Sequence, residues 1–346
     1  MSRILEKRDD HFDLCRAVLV VAMVVAHAFQ CYYANDYNRN VTFFVLNGFV
    51  FLAGFTITAV NAHRMATQNY ETSIGIIQRG AKIIVLFLII NFFIASINVS
   101  WTTLLSRHSN SIVEFIGTIF LGTDQRTFAF DILVPIGLTL ILSVIILNCF
   151  KKLAHILILL TMLFTLHILS KWMGILNSYG FSMLLVGCIG STMGLLTTFL
   201  NWDVFIQQIT RRNYVFILGY LFIAAYFTLS VFIGQSAYRY SYYHLIPTII
   251  LLLFGYIMSY RYHLDQYPIV KFLQQTMSKH MLFAYMFHIG ILRASLLLLH
   301  KDGYSLWETS LLATAVLLIT ILSCHALNLL MLRSSLVRET YAFIFR

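Results

Sequence analysis

Ten long apolar stretches follow one another along the 346 residues and constrain the fold more than any other feature of the sequence. Most reach the roughly 20 residues that an α-helix needs to cross a hydrocarbon layer about 30 Å thick. Only 11% of the residues are charged and the mean hydropathy is +0.80, which excludes an ordinary soluble domain and a disordered chain. The sequence therefore predicts an all-α fold, a polytopic integral membrane protein with about ten transmembrane helices in a lipid bilayer. We place the spans at 14–34, 41–61, 80–99, 131–150, 153–172, 178–200, 214–234, 244–260, 281–300 and 307–332.

The distribution of Lys and Arg predicts how these spans are oriented. With ten spans both termini lie on one side, which receives 17 of the 24 cations, against 6 on the other side and Arg293 within the ninth span. Such a bias marks the basic side as cytoplasmic. We therefore expect both termini in the cytoplasm and a multi-pass protein of the plasma membrane, most simply a bacterial inner membrane. The topology accounts for the net charge of +10, so no nucleic-acid partner is predicted.

The chain is interpreted as one domain, residues 1–346, with a short cytoplasmic N-terminus at 1–13 and a non-cytoplasmic loop at about 100–130. Within that loop the stretch 112–122 is apolar but too short to cross, so it is expected to be a re-entrant or interfacial helix. Gly187, Gly190 and Gly194 in the sixth span include small-xxx-small spacing, which predicts close helix packing. The five cysteines are scattered without a CxxC pair, so we expect no metal site and no disulfide framework.

An arginine and a histidine stand eleven residues apart in the first span, within FDLCRAVLVVAMVVAHAFQ. Eleven residues of α-helix turn through about 1100°, roughly 20° beyond three full turns, so Arg16 and His27 lie on one helix face. The rise between them is about 16 Å, which puts Arg16 near the cytoplasmic edge and His27 around or beyond the midplane. Asp13 precedes Arg16 by three residues on the same face, and we expect the two to pair.

Ionisable groups at membrane depth are costly, so they usually face a partner or a water-filled cavity and indicate a functional site. His27 has the chemistry of a general base, because histidine changes its charge between pH 5 and 8. Two structural interpretations stay open, a core hydrogen bond for His27 and a purely topological role for Arg16. In the ninth span His288 either lines the same cavity as His27 or makes a core hydrogen bond. Arg293 is five residues further on, about 140° around the helix, and is expected on a different face.

The spacing of Arg16 and His27 resembles the R-x10-H motif that type-3 membrane acyltransferases carry in their first helix. The preceding segment Asp13-Leu14-Cys15-Arg16 is similar to the family's D-x-x-R pattern, with Ala17 at a position where glycine is common. The resemblance also covers the number of spans, the basic cytoplasmic side and the chain length.

Four further segments extend this resemblance. The second span contains FFVLNGFVFLAGF at 43–55, which resembles the FF-x-L-S-G-F signature with Asn47 in place of serine. The basic segment Gln78–Lys82 is similar to RR-x-x-R-I. The segment Met277–His288 resembles G-x-x-S-L-x-x-Y-x-x-H with the glycine and serine replaced. Finally, Phe130–Leu138 resembles related glucan-succinylating and heparan-acetylating membrane proteins.

The resemblance implies a membrane O-acyltransferase that moves an acyl group, most simply acetyl, from cytoplasmic acyl-CoA to a hydroxyl of a cell-surface or envelope glycan. Acetyl-CoA is then a donor substrate, the glycan is the acceptor, and no resident cofactor is expected. The resemblance implies catalytic roles for His27 and Arg16. The expected substrate-binding and acyl-CoA-binding residues are Arg79, Lys82, Asp13, Asp131 and His288. Of these, the two cations suit CoA phosphates, whereas Asp131 suits either the acceptor or the dipole at the start of the fourth span.

The alternative function is a polytopic transporter or flippase for a glycan or lipid-linked substrate. Arg16 and His27 would then form part of a substrate or proton path. A proton-coupled transporter usually needs a carboxylate within the membrane, whereas every Asp and Glu here is expected at or outside the end of a span. This distribution favours the enzyme.

Overall fold

The computed structural model describes residues 10–33, 36–67, 69–97, 132–172, 179–200, 202–232, 242–299 and 304–345. Nearly all of these residues are helical, which confirms the all-α prediction. The helices are Asp10–Tyr32 (α1), Asp36–Thr67 (α2), Asn69–Ile97 (α3), Leu133–Cys149 (α4), Leu153–Trp172 (α5), Tyr179–Phe199 (α6), Trp202–Thr210 (α7), Asn213–Phe232 (α8), Tyr242–Tyr262 (α9), Pro268–Leu273 (α10), Met281–Leu299 (α11), Leu306–Arg333 (α12) and Ser335–Phe345 (α13). A 3₁₀ turn at Leu264–Gln266 precedes α10, and a π-helical turn at Gln274–Ser278 follows it.

Each of the ten predicted spans coincides with a helix, namely α1 to α6, α8, α9, α11 and α12. Within the described residues six helices are long and apolar enough to cross a membrane: Asp10–Tyr32, Phe44–Ala62, Tyr70–Asn91, Gly180–Phe199, Leu245–Tyr262 and Leu306–Arg333. Four apolar helices at the other predicted positions fall short of that length: Leu133–Cys149, Leu153–Leu169, Asn213–Tyr226 and Met281–Leu296.

The helices α2 and α3 extend well beyond the predicted spans into polar sequence. Hydropathy marks only the apolar part of a helix, whereas helix formation follows backbone propensity and packing. Likewise α1 begins at Asp10, inside the predicted cytoplasmic terminus 1–13. The predicted loop at 100–130, its apolar stretch 112–122 and Asp131 lie outside the described residues.

The described residues also contain three short helices, α7, α10 and α13, which the search for spans did not predict. They have 9, 6 and 11 residues, too few to cross a hydrocarbon layer. The last of them, α13, exposes Leu336 and Phe343 while burying Tyr341. Such short amphipathic helices leave no apolar run long enough for hydropathy to detect.

By the density of contacts the chain divides into two compact units. The first contains Met1–Phe49 and Asp203–Arg346, and the second contains Val50–Trp202. One boundary falls inside α2 and the other at the start of α7. Each unit contains a buried apolar cluster of its own.

In the first unit α1 packs against α9, α11, α12 and the π-helical turn. It is the most enclosed of the unit's long helices. In its most apolar stretch 61% of the residues are buried, against 22% in the corresponding stretch of α12. Small residues make this close approach possible, since Ala17, Ala26 and Ala28 are all buried. The helix that carries Arg16 and His27 is therefore the centre of its unit.

In the second unit the predicted close packing around the glycines of α6 is confirmed. A Cβ added at Gly190 would overlap the backbone carbonyl of Phe51, and one added at Gly194 would overlap that of Phe55. A hydroxyl contact accompanies this approach, because Thr58 Oγ1 donates to the Ser191 carbonyl at 2.8 Å. Small residues thus let the α6 and α2 backbones touch and exchange hydrogen bonds.

Several helices expose large apolar side chains. In the most apolar stretch of α3 only 17% of the residues are buried, and this helix exposes side chains such as those of Val85, Leu88 and Ile89. In the first unit α8 likewise exposes Ile217 and Leu218. A helix that is apolar on all sides, with its outer face uncovered, suits a lipid environment.

Candidate functional site

The first half of the site is an ion pair on the N-terminal part of α1. Arg16 Nη1 lies 2.9 Å from Asp13 Oδ1, so the predicted pair is confirmed. The carboxylate is almost fully enclosed, with 3% of its side chain exposed, whereas the arginine side chain is 26% exposed. A buried carboxylate needs a paired charge and further hydrogen bonds. Asp13 therefore fixes the position of the Arg16 guanidinium, and part of the arginine side chain stays accessible.

Two hydrogen-bond donors from the C-terminal part of the chain contact the start of α1. Ser278 Oγ donates to the same Oδ1 atom of Asp13 at 2.9 Å, and Gln274 Nε2 donates to the carbonyl of Asp10 at 2.7 Å. Both donors belong to the π-helical turn, and both are buried. Wide turns of this kind are frequent at functional sites, because they redirect side chains that an α-helix would place elsewhere. Sequence analysis missed both residues, although Ser278 occupies the glycine position of the resembled C-terminal motif.

His11, in the first turn of α1, makes further contacts with neighbouring elements. Its Nδ1 lies 2.9 Å from Ser259 Oγ and 4.0 Å from Asp265 Oδ1. Its ring also contacts the rings of Tyr256 and Tyr260, with centroids 5.6 and 5.4 Å away. These contacts join α1 to α9 and to the 3₁₀ turn, and they fix the position from which Asp13 and Arg16 project.

The second half of the site is a pair of histidines. His27 Nδ1 lies 3.4 Å from His288 Nε2, with ring centroids 5.3 Å apart. His288 is fully buried, whereas His27 is half-buried. Tyr285 completes the cluster, with its ring 6.4 Å from that of His27 and 5.8 Å from that of His288. The structure thus brings His288 onto His27.

An apolar cluster beside the histidines sets the register of the three helices involved. Its members are the buried side chains of Val24, Ala28, Tyr32, Leu292, Ala313 and Val316, from α1, α11 and α12. The hydroxyls of Tyr32 and Ser295 are hydrogen-bonded, and the Tyr304 amide donates to the Tyr32 carbonyl at 3.3 Å. Because Val24 and Ala28 flank His27 along α1, this packing holds both rings in place.

Arg293, the arginine of the ninth predicted span, lies on a different face of α11 from His288. Arg293 is exposed, whereas His288 on the same helix is fully buried, which confirms that the two lie on different faces. The predicted CoA-binding cations Arg79 and Lys82 lie on α3 in the second unit, and both side chains are exposed. Among the predicted site residues, those gathered in the first unit are Asp13, Arg16, His27 and His288.

Asn47 is a buried amide with no hydrogen-bond partner among the described residues. It stands beside Gly48, whose added Cβ would come within 2.9 Å of the Leu19 side chain on α1. A buried unsatisfied amide lowers stability by about 1–3 kcal/mol. Sequence analysis singled out this position only as a replacement within the FF-x-L-S-G-F signature.

The described residues contain no group of three or more His, Cys, Asp or Glu side chains that could hold a metal ion. The site consists of an arginine that is paired with a carboxylate and an imidazole that contacts a second imidazole. The arginine can bind an anion, and the imidazole can accept a proton.

No family model, no curated protein and no solved structure matches this chain. The geometry of α1 and its partners is therefore the basis for a function.

Proposed function

We propose that this chain is a membrane-embedded acyltransferase. It would move an acyl group, most simply acetyl, from cytoplasmic acyl-CoA to a hydroxyl of a cell-surface or envelope glycan. The observation that carries the proposal is the arrangement on α1. Arg16 and His27 share one helix face, and a buried side chain backs each of them at hydrogen-bond distance.

Arg16 is the donor-binding residue in this proposal. Its guanidinium is held at Nη1 by Asp13 and is partly exposed, and a guanidinium is suited to a phosphate or other anion of CoA. Preorganisation by Asp13 reduces the side-chain entropy lost on binding. Separately, the resemblance of Gln78–Lys82 to RR-x-x-R-I implies that Arg79 and Lys82 are acyl-CoA-binding cations.

His27 is the general base. The acceptor hydroxyl oxygen attacks the thioester carbonyl carbon while its proton passes to the imidazole. The new C–O bond forms, the C–S bond breaks, and the proton returns from the imidazole to the departing sulfur to give free CoA. General base catalysis of this kind contributes about 10²–10⁴-fold to the rate.

The separation of the two residues suits a long donor. Eleven residues of α-helix place His27 about 16 Å along the axis from Arg16. The anionic end and the thioester end of acyl-CoA are also far apart, so one donor molecule can meet both residues. In the proposed topology Arg16 faces the cytoplasm, where CoA is found, and His27 lies deeper, towards the acceptor.

Two measurements test the proposal. Membranes containing the protein are incubated with radiolabelled acetyl-CoA and the glycan fraction of the host, and transfer of label to glycan is measured. In parallel, mass spectrometry compares surface glycans from cells with and without the gene. We expect label transfer and an acetyl ester that depends on the gene. Unchanged glycans together with no label transfer would refute the acyltransferase.

A further inference from the structure

The hydrogen bond between His288 and the backbone of its own helix determines which ring nitrogen of His288 carries a proton. His288 Nδ1 lies 2.8 Å from the carbonyl oxygen of Ala284, one turn earlier on α11. A carbonyl oxygen can only accept a hydrogen bond, so Nδ1 is the N–H donor. In a neutral ring the other nitrogen, Nε2, then holds the lone pair.

The tautomer of His288 in turn determines the tautomer of His27, because the two rings are in contact. The Nε2 atom of His288 faces Nδ1 of His27 at 3.4 Å. When both rings are neutral, Nε2 of His288 is an acceptor, so Nδ1 of His27 must be the N–H donor. The lone pair of His27 then lies on its Nε2 atom, the ring nitrogen that does not face His288. One backbone carbonyl therefore sets the tautomer of two successive imidazoles.

We infer that His288 is a positioning residue that holds His27 with its proton on Nδ1 and its lone pair on Nε2. The inference rests on the proposed function, in which His27 is the general base. It gives His288 a role other than substrate binding, because His288 is fully buried behind the half-buried His27. It also assigns the reacting atom, since the hydroxyl proton passes to Nε2 of His27.

The same contact stabilises the charged intermediate. After His27 takes a proton at Nε2, its ring is an imidazolium whose Nδ1–H still donates to Nε2 of His288. A hydrogen bond from a charged donor is stronger than a neutral one, so the contact tightens as the proton arrives. In a Ser-His-Asp triad a carboxylate orients the imidazole and stabilises its cation in this way. In this protein a neutral imidazole takes that place.

The packing leaves little freedom for the alternative tautomer. Ala284 and Leu292 are buried on the same face of α11 as His288, and Tyr285 contacts both imidazole rings. Rotation of the His288 ring would break the bond to the Ala284 carbonyl and leave a buried donor or acceptor unsatisfied.

The direct test is the protonation pattern of the His27 ring. The protein is labelled with ¹³C and ¹⁵N on its 12 histidines, reconstituted in lipid bilayers at about pH 8 and studied by solid-state NMR. The signals of His27 are assigned by difference from His27→Gln. We expect a neutral ring with its proton on Nδ1. A proton on Nε2 of His27 in the wild-type protein overturns the inference, and this result needs no folded His288 variant.

Substitution of His288 supplies the second arm. His288→Leu removes the acceptor, so we expect the Nε2–H tautomer of His27 to appear and kcat for acyl transfer to fall about 10–100-fold, with KM for acyl-CoA little changed. His288→Gln keeps an acceptor oxygen and is expected to lose less. His167→Gln, at a buried histidine of α5 in the second unit, is the matched control and should change neither measurement.

The two arms separate the inference from the function on which it rests. If His27→Gln abolishes transfer while His288→Leu keeps wild-type kcat and the wild-type tautomer, the positioning role fails and the acyltransferase stands. If the wild-type tautomer is Nδ1–H and changes in His288→Leu, but no glycan is acylated, the positioning role stands and the proposed reaction fails.

Discussion

The hydroxyl oxygen of Ser278 lies 2.9 Å from Oδ1 of Asp13, although the two residues are 265 positions apart in the chain. The same carboxylate oxygen accepts a hydrogen bond from Arg16. The orientation of the arginine on α1 therefore depends on the π-helical turn that precedes α11. In the proposed enzyme this contact links the C-terminal part of the chain to the binding of the donor.

Substitutions at this contact should weaken donor binding. Asp13→Asn removes the charge that anchors Arg16, and Ser278→Ala removes one hydrogen bond to the carboxylate. A hydrogen bond to a charged group contributes about 1.5–3 kcal/mol, so we expect Ser278→Ala to raise KM for acyl-CoA by roughly tenfold or more. Asp13→Asn should have a larger effect. Ser335→Ala, at an exposed serine of α13, is the control. Unchanged KM in both site variants would mean that Arg16 does not bind the donor.

Arg16 should be more sensitive to loss of charge than to a change in its shape. Arg16→Lys keeps the positive charge near Asp13 but loses the planar guanidinium, so we expect partial donor use. Arg16→Ala also leaves the buried carboxylate of Asp13 without its cation and should lose more activity and stability. Steady-state kinetics with acyl-CoA measure the effect, and Arg338→Ala, at an exposed arginine of α13, is the control. Wild-type activity of Arg16→Ala at matched expression would reduce Arg16 to a topological role.

His27→Gln should abolish acyl transfer while the protein stays inserted and folded. Glutamine keeps polarity and approximate size but cannot act as a base near neutral pH, so we expect a loss of about 10²–10⁴-fold. Acylation of the native glycan is measured at equal abundance in the membrane. His155→Gln, at an exposed histidine of α5, should acylate normally. Full activity of His27→Gln would exclude His27 as the base and favour the transporter or flippase.

The close packing of α6 predicts a contrast between two glycines. Gly190→Ala places a methyl group against the carbonyl of Phe51, so we expect destabilisation of about 1–3 kcal/mol. Gly75→Ala on α3 meets nothing within 4 Å of the added Cβ and should be neutral or stabilising by about 0.5–1 kcal/mol. Unfolding in detergent or bicelles measures both. Equal stability of the two variants would contradict the close approach of α6 to α2.

The cation distribution predicts the membrane topology. Single cysteines are introduced at Asn110 and Ser236, on the predicted outer side, and at Lys151, on the predicted cytoplasmic side, in a variant with Cys31 and Cys149 replaced by serine. We expect an impermeant maleimide added to intact cells to label positions 110 and 236, and to label position 151 only after the membrane is opened. Labelling of position 151 in intact cells, or protection of position 110, would overturn the ten-span topology.

The sequence by itself determined the features of this protein that depend on residues close together in the chain. Long apolar runs predict helices, because a helix satisfies its own backbone hydrogen bonds wherever it lies. The period of 3.6 residues puts Arg16 and His27 on one face of α1, and it puts Asp13 within reach of Arg16, a contact that the structure confirms.

Only the tertiary structure decided which helices meet α1. Ser278 on Asp13 and His288 on His27 join residues 265 and 261 positions apart. No local period records such pairs, because these helices are apolar around most of their circumference and could pack on several faces. The choice depends on how the small residues of α1 and the buried faces of α11 and α12 fit together. Sequence analysis could thus single out His288, but its place against His27 required the packed structure.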